Sequence, residues 1–480
     1  MTAPSGADRA FERGASWLTL STTAVGIVNF CYVLGLTWLL PAQSYAMFAG
    51  GQALLLVCAT VAGASVPWVL AQGVAIARDD LDTRRRLLGF AGRLAGWQGL
   101  TAAVVVVVVA GQFAGDLARA TLALAASSLF FAAVTDGYLQ GLERFNIIAG
   151  LRVGEVLVKV GVGIPLSLTG MGVAGALAGI GVGALMVVLG GVPFMRADLR
   201  HRSPRGRYQG LWRHAIWLTA LQAGVALFAN LDVLLASVLA GPSPELARYQ
   251  ASTTLGRVPL LLALALAAVV FPRISAGHNS SAAVLRAASD FFLRTTVPVA
   301  LVIATMPSGV VEHIFPSEYA GAAALLPYSA VSGLAISALY LLVAAYQAEQ
   351  RFRAGAGLLG AALAIHGVAI VAGLALGGVK GVALGTLAGS TGTVVAALVR
   401  SARIWPMGFR PRRPAVLGLV PGALLVAFQD AVPAWSVCAA AALAVAGWTV
   451  LGPHLLRRAT APTTSGIGKV PAIPTTPADR

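Results

Sequence analysis

Charge is scarce in this chain. Of 480 residues only 11% are charged, and Asp and Glu together number 18. A soluble domain carries roughly 25%. Cysteine is almost absent: Cys31, Cys58 and Cys438 all fall within apolar runs, with neither metal-ligand spacing nor a disulfide framework. They are expected as small buried apolar side chains. No GxxxxGK[ST] phosphate loop, HExxH pair or paired-cysteine motif occurs, which excludes the commonest ATPase and zinc chemistries. We expect no cofactor, no metal and no enzymatic reaction. Long polar stretches are missing too, so no loop is large enough to hold a soluble catalytic domain.

Apolar runs fill the rest; 58% of the residues are hydrophobic. A bilayer core about 30 Å thick needs roughly 20 mostly apolar residues per spanning helix. Only helices or closed barrels satisfy their backbone in lipid, and the ten-residue alternation of a barrel is not visible. The pattern predicts an all-α polytopic membrane protein with about fourteen spans, near 16–39, 44–66, 88–110, 118–140, 147–168, 171–194, 214–240, 246–271, 292–314, 321–346, 354–376, 379–399, 414–429 and 434–455.

The net charge of +16 invites a nucleic-acid reading, but its distribution argues against one. With the N-terminus inside, Arg84, Arg85, Arg86, the basic stretch 196–207, Arg410, Arg412, Arg413 and most other arginines fall on one side, leaving Arg119, Arg248 and Lys380 outside. That is the positive-inside bias of membrane proteins. It places both termini in the cytoplasm. The N-terminus carries no cleavage pattern after its first apolar run, so no removable signal peptide is expected. The Thr/Pro/Ala-rich tail, 457–480, is expected to be disordered.

A faint repeat organises the spans. Trp17-Leu18-Thr19 opens the first and Trp217-Leu218-Thr219 the seventh, 200 residues on. Each starts a helix, a short turn and a second helix ending at a proline, Pro67 or Pro272. Two six-helix lobes related by a pseudo-two-fold axis along the membrane normal explain this, as in many secondary transporters. The predicted lobes are 1–195 and 214–400, joined by a basic linker at 196–213 and followed by two further helices in 401–456. Gly175, Gly179 and Gly183, and again Gly381, Gly385 and Gly389, recur every fourth residue, a spacing that lets helices approach closely.

Ionisable residues within spans are costly and mark function by default. One set comprises Asp136 on the fourth span and Arg152, Glu155 and Lys159 on the fifth; the last three share a helix face, and Glu155 and Lys159 stand at i, i+4. They form either a cavity lining with a cationic component for an anionic head group, or a self-neutralising ion-pair network. The second set is Asp232 on the seventh span and Arg257 on the eighth, both roughly 14 Å below the outer surface at 1.5 Å per residue. Asn230, Gln222 and Gln250 lie nearby in sequence. This set is either a substrate or coupling-ion site or a structural salt bridge. His366 and His313 read as packed or hydrogen-bonded.

The stretch "ANLDVLLASVLAGPSPELARYQASTTLGRVPLLLALALAAVVFPRIS" (229–275), the hairpin "LGLTWLLPAQSYAMFAGGQALL" (34–55) and "GLERF" (141–145) resemble polysaccharide-export, O-antigen-type flippases of the multidrug/oligosaccharidyl-lipid/polysaccharide superfamily. The resemblance covers about the first 400 residues. It implies two six-helix lobes, often with two extra helices, around a cationic cavity lined by helices 1, 2, 7 and 8. The implied substrate is a polyprenyl-pyrophosphate-linked oligosaccharide moved between leaflets of the bacterial cytoplasmic membrane. Membrane lipids, and a polymerase and glycosyltransferases of the same pathway, are the implied partners, with no nucleic acid. Carried onto this chain, it implicates Asn29, Asn230, Asp232 and Arg257, with Arg257 on the pyrophosphate and Asp232 orienting it or carrying a coupling proton. Lys159 and Arg152 join them as candidate substrate contacts, and Asp232, Glu155 and Asp136 as candidate ion-coupling groups. The first helix departs from the lipid II flippases, carrying no charge between Arg13 and Pro41. A cation-coupled multidrug antiporter of the same superfamily is the alternative, and a membrane glycosyltransferase a more distant third.

Overall fold

The computed structural model describes residues 6–77, 80–199, 209–275, 281–402 and 422–459, and among them every regular element is a helix. The elements are α1 (Gly6–Leu39), α2 (Ala42–Ile76), α3 (Leu81–Ala110), α4 (Asp116–Gly141), α5 (Phe145–Leu166), α6 (Gly172–Leu199), α7 (Gln209–Leu239), α8 (Pro244–Gly256), α9 (Val258–Ser275), α10 (Ser281–Ala304), α11 (Ser308–Ile314), α12 (Leu326–Ala348), α13 (Phe352–Ala402), α14 (422–427) and α15 (Val432–Ala459). By length and apolarity alone, eight described helices can cross a membrane, or nine with α8 and α9 taken as one bent span. Two of those eight are hairpins of two helices each. The shorter apolar helices 24–39 and 432–447, with α14, bring the total to about fourteen. Half of the thirteenth predicted span, 414–421, lies outside the described residues, as do 200–208 of the predicted linker and 460–480 of the tail.

The same packing scheme occurs twice. In the first half α2 lies on α3 and α4, α4 on α3 and α6, and α5 on α1 and α6. In the second half α9 lies on α10 and α12, α12 on α10 and α13, and α13 on α7. The two hairpins correspond as well. Between α5 and α6 the chain turns at Gly170 (φ 97°) and Gly172 (φ 50°); within α13 it turns back at Gly378 (φ 58°). Positive φ is where glycine carries no steric penalty. The four-residue glycine stripes seal these hairpins. A Cβ on Gly179 would sit 2.6 Å from the Gly163 Cα, and one on Gly381 would sit 1.8 Å from the Gly373 carbonyl oxygen. The stripes therefore serve packing inside the chain.

The halves meet through α2, which packs along both α7 and α8. At the end of the bundle away from Arg84, Trp38 Nε1 donates to the Ile314 carbonyl at 3.2 Å and the rings of Tyr45 and Tyr319 meet edge-on at 5.7 Å. Midway, Gln98 donates to Thr219 Oγ1 at 3.0 Å. At the opposite end buried Asp198 gathers Arg84 (3.2 Å) and the Tyr138 hydroxyl (2.7 Å), tying α3, α4 and α6 together. Nearby, exposed Asp80 caps α3 by accepting from the backbone N–H of Asp82 and Thr83 and from the Thr83 hydroxyl, bonds that hold its carboxyl below the usual range. The last helices attach laterally: Leu425 and Trp435 pack against Val302, and Trp435 Nε1 donates to Thr305 at 3.1 Å.

Three sequence expectations need correction. The eighth span is not continuous: it breaks at Arg257, where α8 and α9 are inclined by 41°. Pro259 explains the break, because its ring lacks an N–H and clashes with the carbonyl of residue 255 in a straight helix. The ninth span lies at 282–304 rather than 292–314, with Met306-Pro307 ending it and α11 a separate turn. Cys31 is exposed on α1, not a buried apolar filler.

Candidate functional site

The first-half charges form a network on α4 and α5, with one branch reaching α1. Arg152 lies 2.5 Å from Asp136 and 2.7 Å from Glu155, so both carboxylates serve one guanidinium. This overturns the expected Glu155–Lys159 pairing. At i, i+3 the Arg152 fork reaches Glu155, and it also reaches across to α4, which a lysine on the far side of Glu155 does not. Lys159 turns to neutral partners instead. Its Nζ donates to Asn29 Oδ1 at 2.8 Å and stands 4.7 Å from the centroid of the Tyr32 ring on α1. Tyr32 is itself fixed by donating to the Ala176 carbonyl on α6, 2.8 Å away. A ring face attracts a cation without cancelling its charge. Lys159 thus has polar company and no carboxylate within salt-bridge distance among the described residues, whereas Arg152 is doubly neutralised. Asn29 and Lys159, implicated for different reasons, prove to be direct partners.

The second-half set converges on Asp232, which is 1% exposed. One carboxylate oxygen receives Arg257 at 2.6 Å and the other receives the Tyr249 hydroxyl at 2.6 Å. Arg257, its side chain 17% exposed, also approaches Asn230 Oδ1 at 3.4 Å. Asn230 donates to the Ala226 carbonyl, and Tyr249 is also 3.1 Å from Thr386 on α13. Asp232, Asn230 and Arg257 therefore assemble as the sequence places them. The structure adds Tyr249, which the sequence reading passed over although it stands two turns before Arg257.

Position matters as much as pairing. Arg257 occupies the break between α8 and α9, so its guanidinium ties that break to the middle of α7. The break is pressed against α12 from the other side. A Cβ on Gly333 would fall 1.9 Å from the Gly256 carbonyl, so backbone meets backbone there. Gln222 pairs with Gln347 at 3.2 Å, and Gln250 stays within α8, its Oε1 3.4 Å from Thr253 Oγ1; neither joins the Asp232 cluster.

His366 is the ionisable residue whose setting the sequence reading underestimated. It is 0% exposed, its ring stacks on Phe228 at 4.5 Å between centroids, and neither ring nitrogen has a hydrogen-bond partner among the described residues. Phe228 lies one helical turn from Asp232 on α7. The signal available in the sequence was the helical spacing of Phe228 and Asp232, and the Gly389 stripe position against which His366 packs.

Comparisons with known proteins bear on the family and the fold. The family described as "Polysaccharide biosynthesis protein" matches residues 11–278, more than half the chain. No curated protein matches. Among solved structures, the lipid II flippase MurJ in an inward closed conformation superposes with a TM-score of 0.70 at 12% identity, covering 91% of this chain and 99% of that one. An inward-facing multidrug resistance MATE family transporter of the MOP superfamily gives 0.63 at 13% identity, covering 81% and 96%. A MATE structure in its bent conformation gives 0.56 at 13%, covering 88% and 97%. At such identities these likenesses establish the fold alone, while the family match covers more than half of the sequence. This multi-pass membrane chain belongs to the polysaccharide biosynthesis protein family.

Proposed function

We propose that this protein is a flippase that carries a polyprenyl-(pyro)phosphate-linked oligosaccharide from the inner to the outer leaflet of the bacterial cytoplasmic membrane by alternating access. The observation that carries this reading is Lys159. It is a cation about fourteen residues into α5, fixed by Asn29 and Tyr32 and left without a carboxylate. An ammonium held by neutral partners and in no ion pair among the described residues suits a phosphate oxygen of an anionic head group. Arg257, bound by Asp232 and Asn230, takes the positioning role instead and sets the α8–α9 break. The family supports a polysaccharide substrate, and the repeated six-helix architecture supports rocking of one half against the other. Basic loops on the cytoplasmic side would gather anionic lipid, and outward movement of negative charge gains about 2.3 kcal/mol per charge per 100 mV. The polymerase and glycosyltransferases of the pathway would then act on either side of this step.

The test is flipping of a fluorescent polyprenyl-pyrophosphate oligosaccharide in proteoliposomes, with and without an inside-negative potential. Wild type should flip it, and faster with the potential. Lys159→Met should lose about tenfold or more, the loss of one charge-assisted contact of 1.5–3 kcal/mol, while Lys159→Arg retains part of the rate. Equal rates for wild type and Lys159→Met would remove the lysine from the substrate path. No lipid flipping, together with efflux of cationic dyes, would move the function to the antiporter class.

A further inference from the structure

The two hairpins carry an ionisable side chain at the same place. In the first half, the third glycine of the stripe, Gly183, faces the Lys159 Cβ at 3.3 Å from a Cβ placed on it. In the second half, the third glycine, Gly389, faces His366, with Nδ1 at 2.7 Å. Each side chain then turns to the first helix of its own half. Lys159 meets Asn29 and Tyr32 on α1; His366 meets Phe228 on α7. The repeat of Trp17 and Trp217 puts Tyr32 in register with Asp232. The architecture thus presents one lysine and one histidine at equivalent depth, each over the same stretch of its lobe's first helix.

The histidine is the anomalous member. A buried polar group is normally hydrogen-bonded, and one without a partner calls for a reason. Among the described residues neither nitrogen of His366 has a hydrogen-bond partner, and the ring is fully buried at a depth where an ionisable group is expensive. The charged and titratable groups around it are Asp232 on α7, Arg257 at the α8–α9 break and Tyr249 on α8. Thr386 and Gly389 on the returning arm of α13 complete the surroundings.

We infer that His366 is a proton-binding site of the second lobe, whose charge competes with Arg257 for Asp232 and so loosens the α8–α9 break. This rests on the transport reading above. A proton from the aqueous phase binds a free ring nitrogen; the only bond formed is N–H, and it breaks again when the proton leaves on the other side. While it is bound, two cations face one carboxylate. The Arg257 guanidinium is then held less tightly, and the break it fixes is free to change angle.

Two readouts test this on the full chain. In lipid nanodiscs, imidazole-labelled protein is titrated by nitrogen NMR between about pH 3 and 8, a range that extends below the one in which histidine ordinarily changes charge. The His366 signal is assigned by difference with His366→Gln and, independently, by a chain in which the other five histidines are replaced. We expect it to convert to imidazolium within that range, and Asp232→Asn to displace the conversion to lower pH. A signal that stays neutral throughout overturns the site. In proteoliposomes, a proton gradient should accelerate wild-type flipping several-fold and leave His366→Gln unaffected. Wild-type flipping that ignores the gradient overturns the coupling while leaving the flippase reading intact. If wild type moves no lipid-linked oligosaccharide, the flippase reading falls and the NMR titration still decides the proton site.

Discussion

Replacing Asp232 with alanine should destabilise the folded protein by about 3–5 kcal/mol, the cost of leaving a buried charge without its partner. Arg257 lies 2.6 Å from it and is largely enclosed, so water cannot take the carboxylate's place. The Tyr249 hydroxyl loses its acceptor as well, adding about 1–3 kcal/mol less any relief from Thr386. The measurement is thermal or chemical unfolding of the purified protein in one detergent, followed by tryptophan fluorescence. Asp232→Leu combined with Arg257→Met should recover most of the loss, since an apolar pair of similar volume is often no less stable than a buried ion pair. A single Asp232→Ala variant that unfolds like wild type would show that the pair is not what holds α8 to α7. The double variant also separates roles: stable protein that no longer flips lipid would place function in these charges, and stable active protein would make them structural.

Gly381→Val should prevent folding altogether. The new Cβ would lie 1.8 Å from the Gly373 carbonyl oxygen, and Gly373 is equally intolerant, its own Cβ falling 2.1 Å from the Gly381 carbonyl. Neither atom belongs to a flexible side chain. The two arms of α13 would have to separate, opening the contacts at Gly385 and Gly389 that follow in register. Overpacking by side chains costs about 1–3 kcal/mol; here backbone blocks backbone, so the loss should exceed that range. The expected result is aggregated protein on size exclusion, with no soluble monodisperse fraction. Gly360→Ala on the same helix is the control, because nothing lies within 4 Å of its Cβ. It should change stability by no more than about 1 kcal/mol, on the favourable side, through helix propensity. Monodisperse Gly381→Val would mean that the hairpin arms do not meet along this stripe.

How much of this was legible in the sequence differs by kind of feature. Span number, the repeated half and the glycine stripes follow from composition and period, and these set the fold. The meeting of Asp232 with Arg257 was legible because equal distances from a tight turn put two residues at one depth. Partner choice was not. Glu155 has a cation at i−3 and another at i+4, and spacing alone does not say which guanidinium or ammonium has the reach to bridge to α4. Tyr249 escaped notice because an aromatic residue on an apolar helix has many uses, and only the approach of α7 and α8 reveals this one. The break at Arg257 was written plainly as Gly256 and Pro259 but was hidden by continuous hydropathy. His366 could be judged only once α13 was seen to fold back and bury it. Arg257 and Asp232 met as expected and saturate one another, which is why the proposed function puts the substrate contact at Lys159.

The 41° break also makes α8 a lever. Its 13 residues extend about 20 Å, so straightening about Arg257 would sweep its far end through about 14 Å, the breadth of a sugar or two. That far end is latched, since Arg248 donates to the Glu318 carbonyl at 2.9 Å. The fulcrum is held by the Arg257–Asp232 pair and by backbone contact with α12, and the arm by its packing along α2, so a full stroke requires all of these contacts to yield together.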